Sequence, residues 1–547
     1  MTDTAQGRNG PTEFLPKLLT VWREGYRLAD LRADALAGLT VAIVALPLSM
    51  AIAIASGVGP ERGLFTAIVG GFLVSALGGS RYQIGGPAGA FIVLVAACVL
   101  ASGVQGLILA TVLSGLILIA AGVLRLGTYI RYIPYPVTVG FTAGIAVIIF
   151  ASQLREIFGL TLPGAEPGEI LQKLQALWAA RGTVSWAALA VAALTAAAIL
   201  TLRRVRPHWP GMLIAVVLAS VVVAGLGLPV STIGGRFGDL PHFLPAPVLP
   251  DFTLWREALP WALSFALLGA IESLLSAVVA DGMSGARHRS NAELVAQGVA
   301  NIGSGLFGGF CVTGTIARTA TNVRAGSRGP VSGILHSVFL LVFMLVAAPL
   351  AAYIPLAALA GVLAVVAWGM AERHELVALL RSSRGDALVV GVTFLLVVFR
   401  DLTQGIIVGF ALAGLVFIKR MSETAAMRPR EEQLDTLRAD RVVYHLEGPY
   451  FFGAAAQLGG ILDRIAEAPR ALVLEMSGVP LIDSSGARGF HRLAARSRRR
   501  GGQLYLVGLS GPLRRQLEAQ GLQDPEVRYL PDLAAVDRYL DAAPESS

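Results

Sequence analysis

Two glycine-rich interruptions inside long apolar stretches constrain this chain more than any other feature. "VSALGGSRYQIGGPAGAF" (74–91) and "GSGLFGGFCVTGTIARTA" (303–320) each break an apolar run. Aligning them, after a one-residue slip, superposes Gly78-Gly79 on Gly308-Gly309 at an offset of 230 residues. Each copy leads into an apolar segment, 88–102 or 316–323, that is too short to cross ~30 Å of hydrocarbon at ~1.5 Å per residue. Both copies therefore predict a full helix, a non-helical stretch and a half-helix starting near the bilayer midplane. Broken helices at corresponding places in two halves point to a transporter site. Such backbone is tolerated at membrane depth only where it lines a cavity or is buried in protein.

The rest of the chain fits a membrane setting. Its 547 residues are 55% hydrophobic and 15% charged, against about 25% charged in soluble proteins. Apolar runs lie near 35–56, 64–79, 88–102, 106–124, 136–152, 184–202 and 211–228, and again near 258–280, 292–307, 316–323, 331–353, 355–371, 386–399 and 403–418. They predict an α-helical polytopic membrane protein of fourteen segments. The first 34 residues are polar and predict no cleavable signal peptide. Counting alternate connections, one side collects Arg125 and Arg131, Arg203, Arg204 and Arg206, Arg287 and Arg289, Arg324 and Arg328, Arg373, Arg381 and Arg384, and Lys419 and Arg420. That bias predicts cytoplasmic N- and C-termini, and it assigns the net charge of +8 to orientation rather than to nucleic acid. Cys98 and Cys311 lie in apolar stretches and predict no disulfide.

The expected organisation is a cytoplasmic segment 1–34, a transmembrane domain 35–420 with repeats at about 35–228 and 258–420, a charged linker 421–440, a soluble α/β domain 441–541 and a tail 542–547. In the soluble part, strand-like runs at 441–452, 471–482 and 503–509 alternate with helical stretches near 454–467, 486–499 and 511–521.

Two half-helix N-termini meeting in the bilayer would each offer unpaired N–H groups and about half a positive charge. Together they predict an anion pocket that needs no metal or other cofactor. Arg318, just inside the second half-helix, would make the pocket strongly cationic, and a guanidinium can fork onto oxyanions. The alternatives are an arginine that snorkels to the surface or one permanently paired with a carboxylate. Glu272, the only acid in "WALSFALLGAIESLLSAVVA" (261–280), is the candidate partner. A titrating Glu272 could carry a proton with the substrate; an ionised one could help hold Na⁺, with Ser276 one turn later supplying an oxygen. A fixed Glu272–Arg318 pair that ties two helices together is the alternative.

Other motifs exclude chemistry. "GSGLFG" (303–308) satisfies GxGxxG but begins no βαβ unit, so tight helix packing is expected there. No GxxxxGK[ST] loop and no metal-ligand spacing of histidines occur, which disfavours ATP-driven pumping, zinc chemistry and an enzyme. In "LIDSSGARGF" (481–490), Asp483 or Ser484 can cap the following helix, and a phosphoserine at that N-terminus would suit the dipole.

These residues resemble the sulfate permease (SulP) family of solute carriers. "ALPLSMAIAIASGVGPERGLF" (45–65) is similar to its first-helix signature, "IPYPVTVGFTAGIAVII" (133–149) to the fifth, and "GPAGAF" and "GTIART" to the starts of the third and tenth helices. "DSSG" (483–486) resembles the best-known motif of a STAS domain. The resemblance implies seven plus seven inverted helices, a moving core and a gate that mediates homodimer contacts, with anion held at Pro87, Ala88 and Gly89 and at Gly314, Thr315, Ile316 and Ala317, near Arg318. It makes Glu272 the coupling position, where sodium–bicarbonate members carry Asp, and this favours a proton. Ser485 matches the serine phosphorylated in stand-alone STAS proteins. Leu48 replaces a glutamine that many relatives have after the first-helix proline.

The expected protein is thus a secondary active anion transporter of the bacterial inner membrane, an H⁺-coupled symporter moving a small inorganic or dicarboxylate anion by an elevator-like mechanism. A Na⁺-coupled bicarbonate symporter is the nearest alternative. A membrane-anchored STAS signalling protein is the alternative of another class, and deleting 421–547 separates the two: a transporter keeps some flux, a relay loses its output.

Overall fold

Long apolar helices dominate the first four hundred residues of the computed structural model. It describes residues 11–130, 134–164, 166–167, 169–206, 209–400, 402–424, 426–429, 441–450 and 470–542. The first half runs α1 (Lys17–Arg23), α2 (Leu28–Ala55), α3 (Pro60–Phe65), a π turn, α4 (Gly71–Leu77), β1 (Gly85–Gly86), a 3₁₀ turn at Gly89–Phe91, α5 (Ile92–Val123), α6 (Gly127–Ile130), α7 (Tyr135–Phe158), α8 (Ile170–Ala179), α9 (Trp186–Val205), α10 (Gly211–Leu226) and α11 (Ile233–Phe237). The second half runs α12 (Trp255–Ser284), α13 (Ser290–Leu306), β2 (Thr313–Gly314), α14 (Ile316–Arg324), α15 (Val331–Ala351), α16 (Leu356–Met370), α17 (Arg373–Ser382), α18 (Arg384–Phe399) and α19 (Leu402–Thr424).

Among the described residues, eight helices are long and apolar enough to cross a membrane. The remaining expected segments are the short helices α10, α13, α14 and α18, the jointed α3–α4, and the second half of α5, which turns at Gly103 (φ 66°, ψ −174°). Helix α2 begins at Leu28, ahead of the apolar run at 35. Its polar first turn is closed by Asp30, which accepts from the Arg27 N–H, and buried Asp34 accepts the N–H groups of Arg328 and Gly329 and the Tyr26 hydroxyl.

The halves interlock as an inverted repeat. Helix α5 packs on α12 and α13, and α15 packs on α2 and α4, forming a core group; α7, α9, α10, α16 and α18 form a second, gate group. Small residues permit this closeness. A Cβ at Gly115 would meet the Gly298 carbonyl oxygen at 2.5 Å, so α5 and α13 touch backbone to backbone. In "GSGLFG", Gly303 abuts Leu73 and Gly305 abuts Val112, which is helix packing, as expected.

The chain divides into two units at Phe410–Ala411. In the second, a five-stranded sheet has the order β3 (Ala426–Pro429), β4 (Arg441–Glu447), β5 (Ala471–Gly478), β6 (Gln503–Val507), β7 (Val527–Leu530), antiparallel between β3 and β4 and parallel elsewhere. Helices α20 (Ser484–Arg499) and α21 (Gly511–Ala519) bury Phe490, Leu493 and Leu517 on one face of the sheet, and α22 (Leu533–Ala542) buries Val536 on the other. The segment read as a linker differs from expectation: α19 continues to Thr424, and 426–429 forms the antiparallel edge β3. An edge strand pairs through its main chain and needs no apolar face, so the charged sequence concealed it. Residues 430–440 and the helix expected near 454–467 lie outside the described residues, as does the end of the tail.

Candidate functional site

Each crossover leaves its helix at the glycine pair that marked it in the sequence. The Gly79 carbonyl accepts the Arg289 N–H at 3.0 Å, and the Gly308 carbonyl accepts Arg62 Nη1 at 2.6 Å. The two stretches then run toward each other and pair antiparallel, Gly85 opposite Gly314 and Gly86 opposite Thr313. The Thr315 N–H extends the pairing by donating to the Ile84 carbonyl at 3.0 Å, and Thr319 Oγ1 accepts the Ile84 N–H at 3.1 Å. Past the strands, Ala88 and Thr315 hold extended backbone and cap the Gly89 turn and α14. The N–H groups of Gly89 and Ala90 and those of Ile316 and Ala317 precede the first intrahelical bonds by geometry, whereas the Phe91 N–H donates to the Ala88 carbonyl at 3.1 Å. The structure therefore brings Pro87, Ala88 and Gly89 together with Gly314, Thr315, Ile316, Ala317 and Arg318.

The helix starts correct the register of the internal alignment. An offset of 230 placed Ala88 opposite Arg318, whereas counting from each helix start, Gly89 and Ile316, puts Phe91 in the place of Arg318. The second crossover is shorter between its glycines and its helix, and one anchor pair could not reveal that.

Arg318 is 2% exposed. Its Nη2 donates to Ser49 Oγ at 3.1 Å and to the Pro87 carbonyl at 3.3 Å, so the guanidinium reaches from the second crossover to the start of the first half-helix. Its Nε and Nη1 make no hydrogen bond among the described residues. Gly86 is pressed against it: a Cβ there would lie 2.0 Å from Nη1. Neither surface snorkelling nor a carboxylate partner is observed among the described residues, and no ion pair joins Arg318 to Glu272. Beside this buried charge, Gly89 and Ile316 are partly exposed and Ala317 is exposed.

Glu272, 9% exposed, points elsewhere. It lines a cavity of about 20 Å³ with Thr138 and Thr142 of α7, Ile406 of α19 and Ile316, the first residue of α14. That is room for about one water. Ser276 is turned toward α14, its hydroxyl donating to Thr319 Oγ1 at 3.1 Å. A larger cavity, about 550 Å³, separates core residues such as Ala51 and Ile92 from gate residues such as Ile148, Leu359 and Leu363. Ile92 is the first residue of α5, so this cavity reaches the helix that follows the first crossover.

Sequence reasoning missed the polar residues that hold the crossovers in place. Buried Glu293 accepts the N–H groups of Gly79 (2.8 Å) and Ser80 (3.0 Å) and the side-chain amides of Gln83 (2.8 Å) and Gln297 (2.9 Å). Asn301 exchanges hydrogen bonds with the Val312 main chain, and Asn322 donates to the Tyr82 carbonyl. The available signal was polar residues at helical spacing on otherwise apolar helices: Glu293, Gln297 and Asn301 are each four apart.

Known proteins match this architecture. The profile described as the sulfate permease family matches residues 31–393, and that of the STAS domain matches residues 433–530. The chain belongs to the sulfate permease family. This permease is 41% identical over 513 residues to YvdB of Bacillus subtilis (strain 168), a protein named for sulfate transport, covering 91% of this chain and 95% of YvdB. It is 31% identical to the bicarbonate transporter BicA of Picosynechococcus sp., covering 89% and 90% of the two chains. The solved structure of the murine Slc26a9 anion transporter superposes with a TM-score of 0.86 at 20% identity, covering 99% of this permease and 96% of that chain. The permease is therefore an integral membrane anion transporter of this family with a STAS domain. In that domain, the Asp483 carboxylate caps α20 by accepting the Gly486 N–H at 2.7 Å, and Ser485 is partly exposed in the first turn.

Proposed function

We propose that the permease is a secondary active symporter that binds a small anion between its two crossovers and couples the movement to a proton at Glu272. One observation carries this: two half-helix starts whose leading strands pair with each other, with Arg318 buried between them and, among the described residues, no carboxylate bonded to it. Backbone N–H groups at Gly89 and at Ile316–Ala317 offer the contacts, and Arg318 supplies the field. Chloride, bicarbonate, sulfate, nitrate and small dicarboxylates all suit such a pocket.

The oxygen count near Glu272 favours a proton. Its cavity offers two threonine hydroxyls besides the carboxylate, and Ser276 is engaged with Thr319. A dehydrated Na⁺ needs more oxygens than that, whereas a proton needs one. The cavity lies where core helices α12 and α14 face α7 and α19, so a change at Glu272 is registered at the surface on which an elevator-like core would slide. Similarity to a bicarbonate transporter supports bicarbonate as the substrate in the second reading, Na⁺-coupled bicarbonate symport. The basic connections favour both termini on the cytoplasmic side of the plasma membrane, and the family resemblance favours a homodimer.

Purified protein in liposomes, given imposed pH or sodium gradients and a panel of labelled anions, separates the two readings: uptake should follow the pH gradient. Glu272→Gln should abolish gradient-driven uptake while anion–anion exchange persists. Unchanged gradient-driven uptake in that variant would refute the coupling role.

A further inference from the structure

The coupling side chain and the anion-holding strands make no direct bond. Glu272 faces the small cavity toward α7 and α19, and Arg318 is bonded to Ser49 and Pro87. Yet the helix that carries Glu272 is fastened to both crossovers by its next residue. Adjacent residues leave a helix about 100° apart, so Ser273 points toward the strands while Glu272 points toward the cavity. Ser273 Oγ accepts the Gly314 N–H at 3.1 Å and lies 2.7 Å from Thr313 Oγ1, which grips the second crossover. The Ser273 carbonyl accepts Gln83 Nε2 at 3.1 Å, and the same amide donates to Glu293 Oε1 at 2.8 Å, which grips the first. Gln83 is wedged between the two: a Cβ at Gly314 would sit 1.9 Å from its Nε2. All these groups are buried, so water cannot substitute for a lost bond.

We propose that Ser273 and Gln83 are positioning residues that transmit the state of Glu272 to the anion-holding strands through the hydrogen-bond chain Ser273–Gln83–Glu293 and the Ser273–Gly314 bond. This rests on the coupled-symport reading above and names its physical link. When Glu272 is loaded, any shift or rotation of α12 moves Ser273 with it, and the two strands move as one because a single serine holds both. Anion binding and cation loading are then linked without an ion pair, which leaves Arg318 free to attract substrate. A chain that merely braced the fold would affect all modes of transport equally. A transmitting chain affects the ratio of coupled to uncoupled transport.

The test uses the full-length protein in liposomes with labelled sulfate and labelled bicarbonate. Two rates are compared: uptake driven by an imposed pH or sodium gradient, and exchange with no cation gradient. Ser273→Ala should lower the ratio of driven uptake to exchange at least fivefold, and Ser273→Thr, which keeps the hydroxyl, should restore it to within twofold. Gln83→Met, of similar length but without the amide, should lower the ratio similarly. Ser273→Ala removes the hydroxyl link to Gly314 and Thr313 but keeps the carbonyl that Gln83 grips, whereas Gln83→Met removes the link to the first crossover. Transmission needs both links, so the double variant should be no worse than the stronger single one. Rates that fall in parallel with the ratio unchanged, additive singles, or failure of both variants to fold would each reduce the chain to a brace and overturn the inference. Coupling that survives in both variants overturns the inference alone. Absence of driven uptake in the wild type overturns the symport reading, and this inference with it.

Discussion

The two crossovers follow one backbone plan with opposite chemistry. The first enters its helix through Pro87 and a 3₁₀ turn with no charge; the second enters through Thr315, whose hydroxyl donates to the Ile84 carbonyl, and carries Arg318 in its first turn. They are also anchored differently. The first is tied to the N-terminal helix, with the Lys17 N–H donating to the Gly78 carbonyl at 2.9 Å and Arg81 paired with Glu24, whereas the second is held by Arg62 of α3. The difference teaches that a duplicated backbone can supply symmetric dipoles while a single side chain breaks the symmetry. Because the guanidinium crosses over to Pro87, one arginine serves both half-helices.

Removing that asymmetry should have the largest effect. Arg318→Ala deletes a buried cation bonded to Ser49 and Pro87, and anion uptake should fall about a hundredfold, corresponding to about 3 kcal/mol. Labelled-anion flux and calorimetric affinity measure it, and wild-type values would return the arginine to a purely structural role. Gly86→Ala attacks the same contact from the first crossover by placing a methyl group against Nη1, and anion affinity should fall roughly tenfold through overpacking. Affinity unaltered in this variant would mean the two crossovers do not share the guanidinium. Ser49→Ala removes one bond and leaves the Pro87 contact, so affinity should fall roughly fivefold, about 1 kcal/mol.

The smallest expected effect concerns the anchor of the first crossover alone. Burial, then the nearby Arg289 and Arg81, lower Lys17 to about 8 from its usual 10.5. Between those values the unfolded chain holds a proton that the folded chain has lost, so stability should rise as pH climbs from about 8 toward 10 and level off above. Lys17→Met should flatten that rise in melting temperature and leave anion affinity within twofold. An unchanged pH profile would show that Lys17 is not the group responsible.

The crossovers and Arg318 could be read in the sequence because each is a local anomaly: glycine pairs inside apolar runs, and a charge far from any acid. Glu272 was legible for the same reason, as one acid at the centre of a long apolar helix. The STAS strands β4, β5 and β6 coincide with apolar runs, but β3 does not, since edge pairing needs no apolar pattern. Ser273, Gln83 and Glu293 look like ordinary polar residues in the linear chain. Their significance arises from contacts between residues 190 and 210 positions apart.

By itself, then, the amino-acid order determined that this chain spans a membrane in two related halves, where the helices must break, and which charges cannot be accounted for by the surface. Hydrophobic runs, glycine pairs and isolated ionisable groups act locally, so they can be read one segment at a time. Only tertiary structure decided which strand residues pair, that Arg318 bridges to Pro87 instead of joining Glu272, and that Ser273 holds both crossovers. Those outcomes depend on how the two halves fit against each other at ångström scale, where a slip of two or three residues exchanges one hydrogen-bond partner for another.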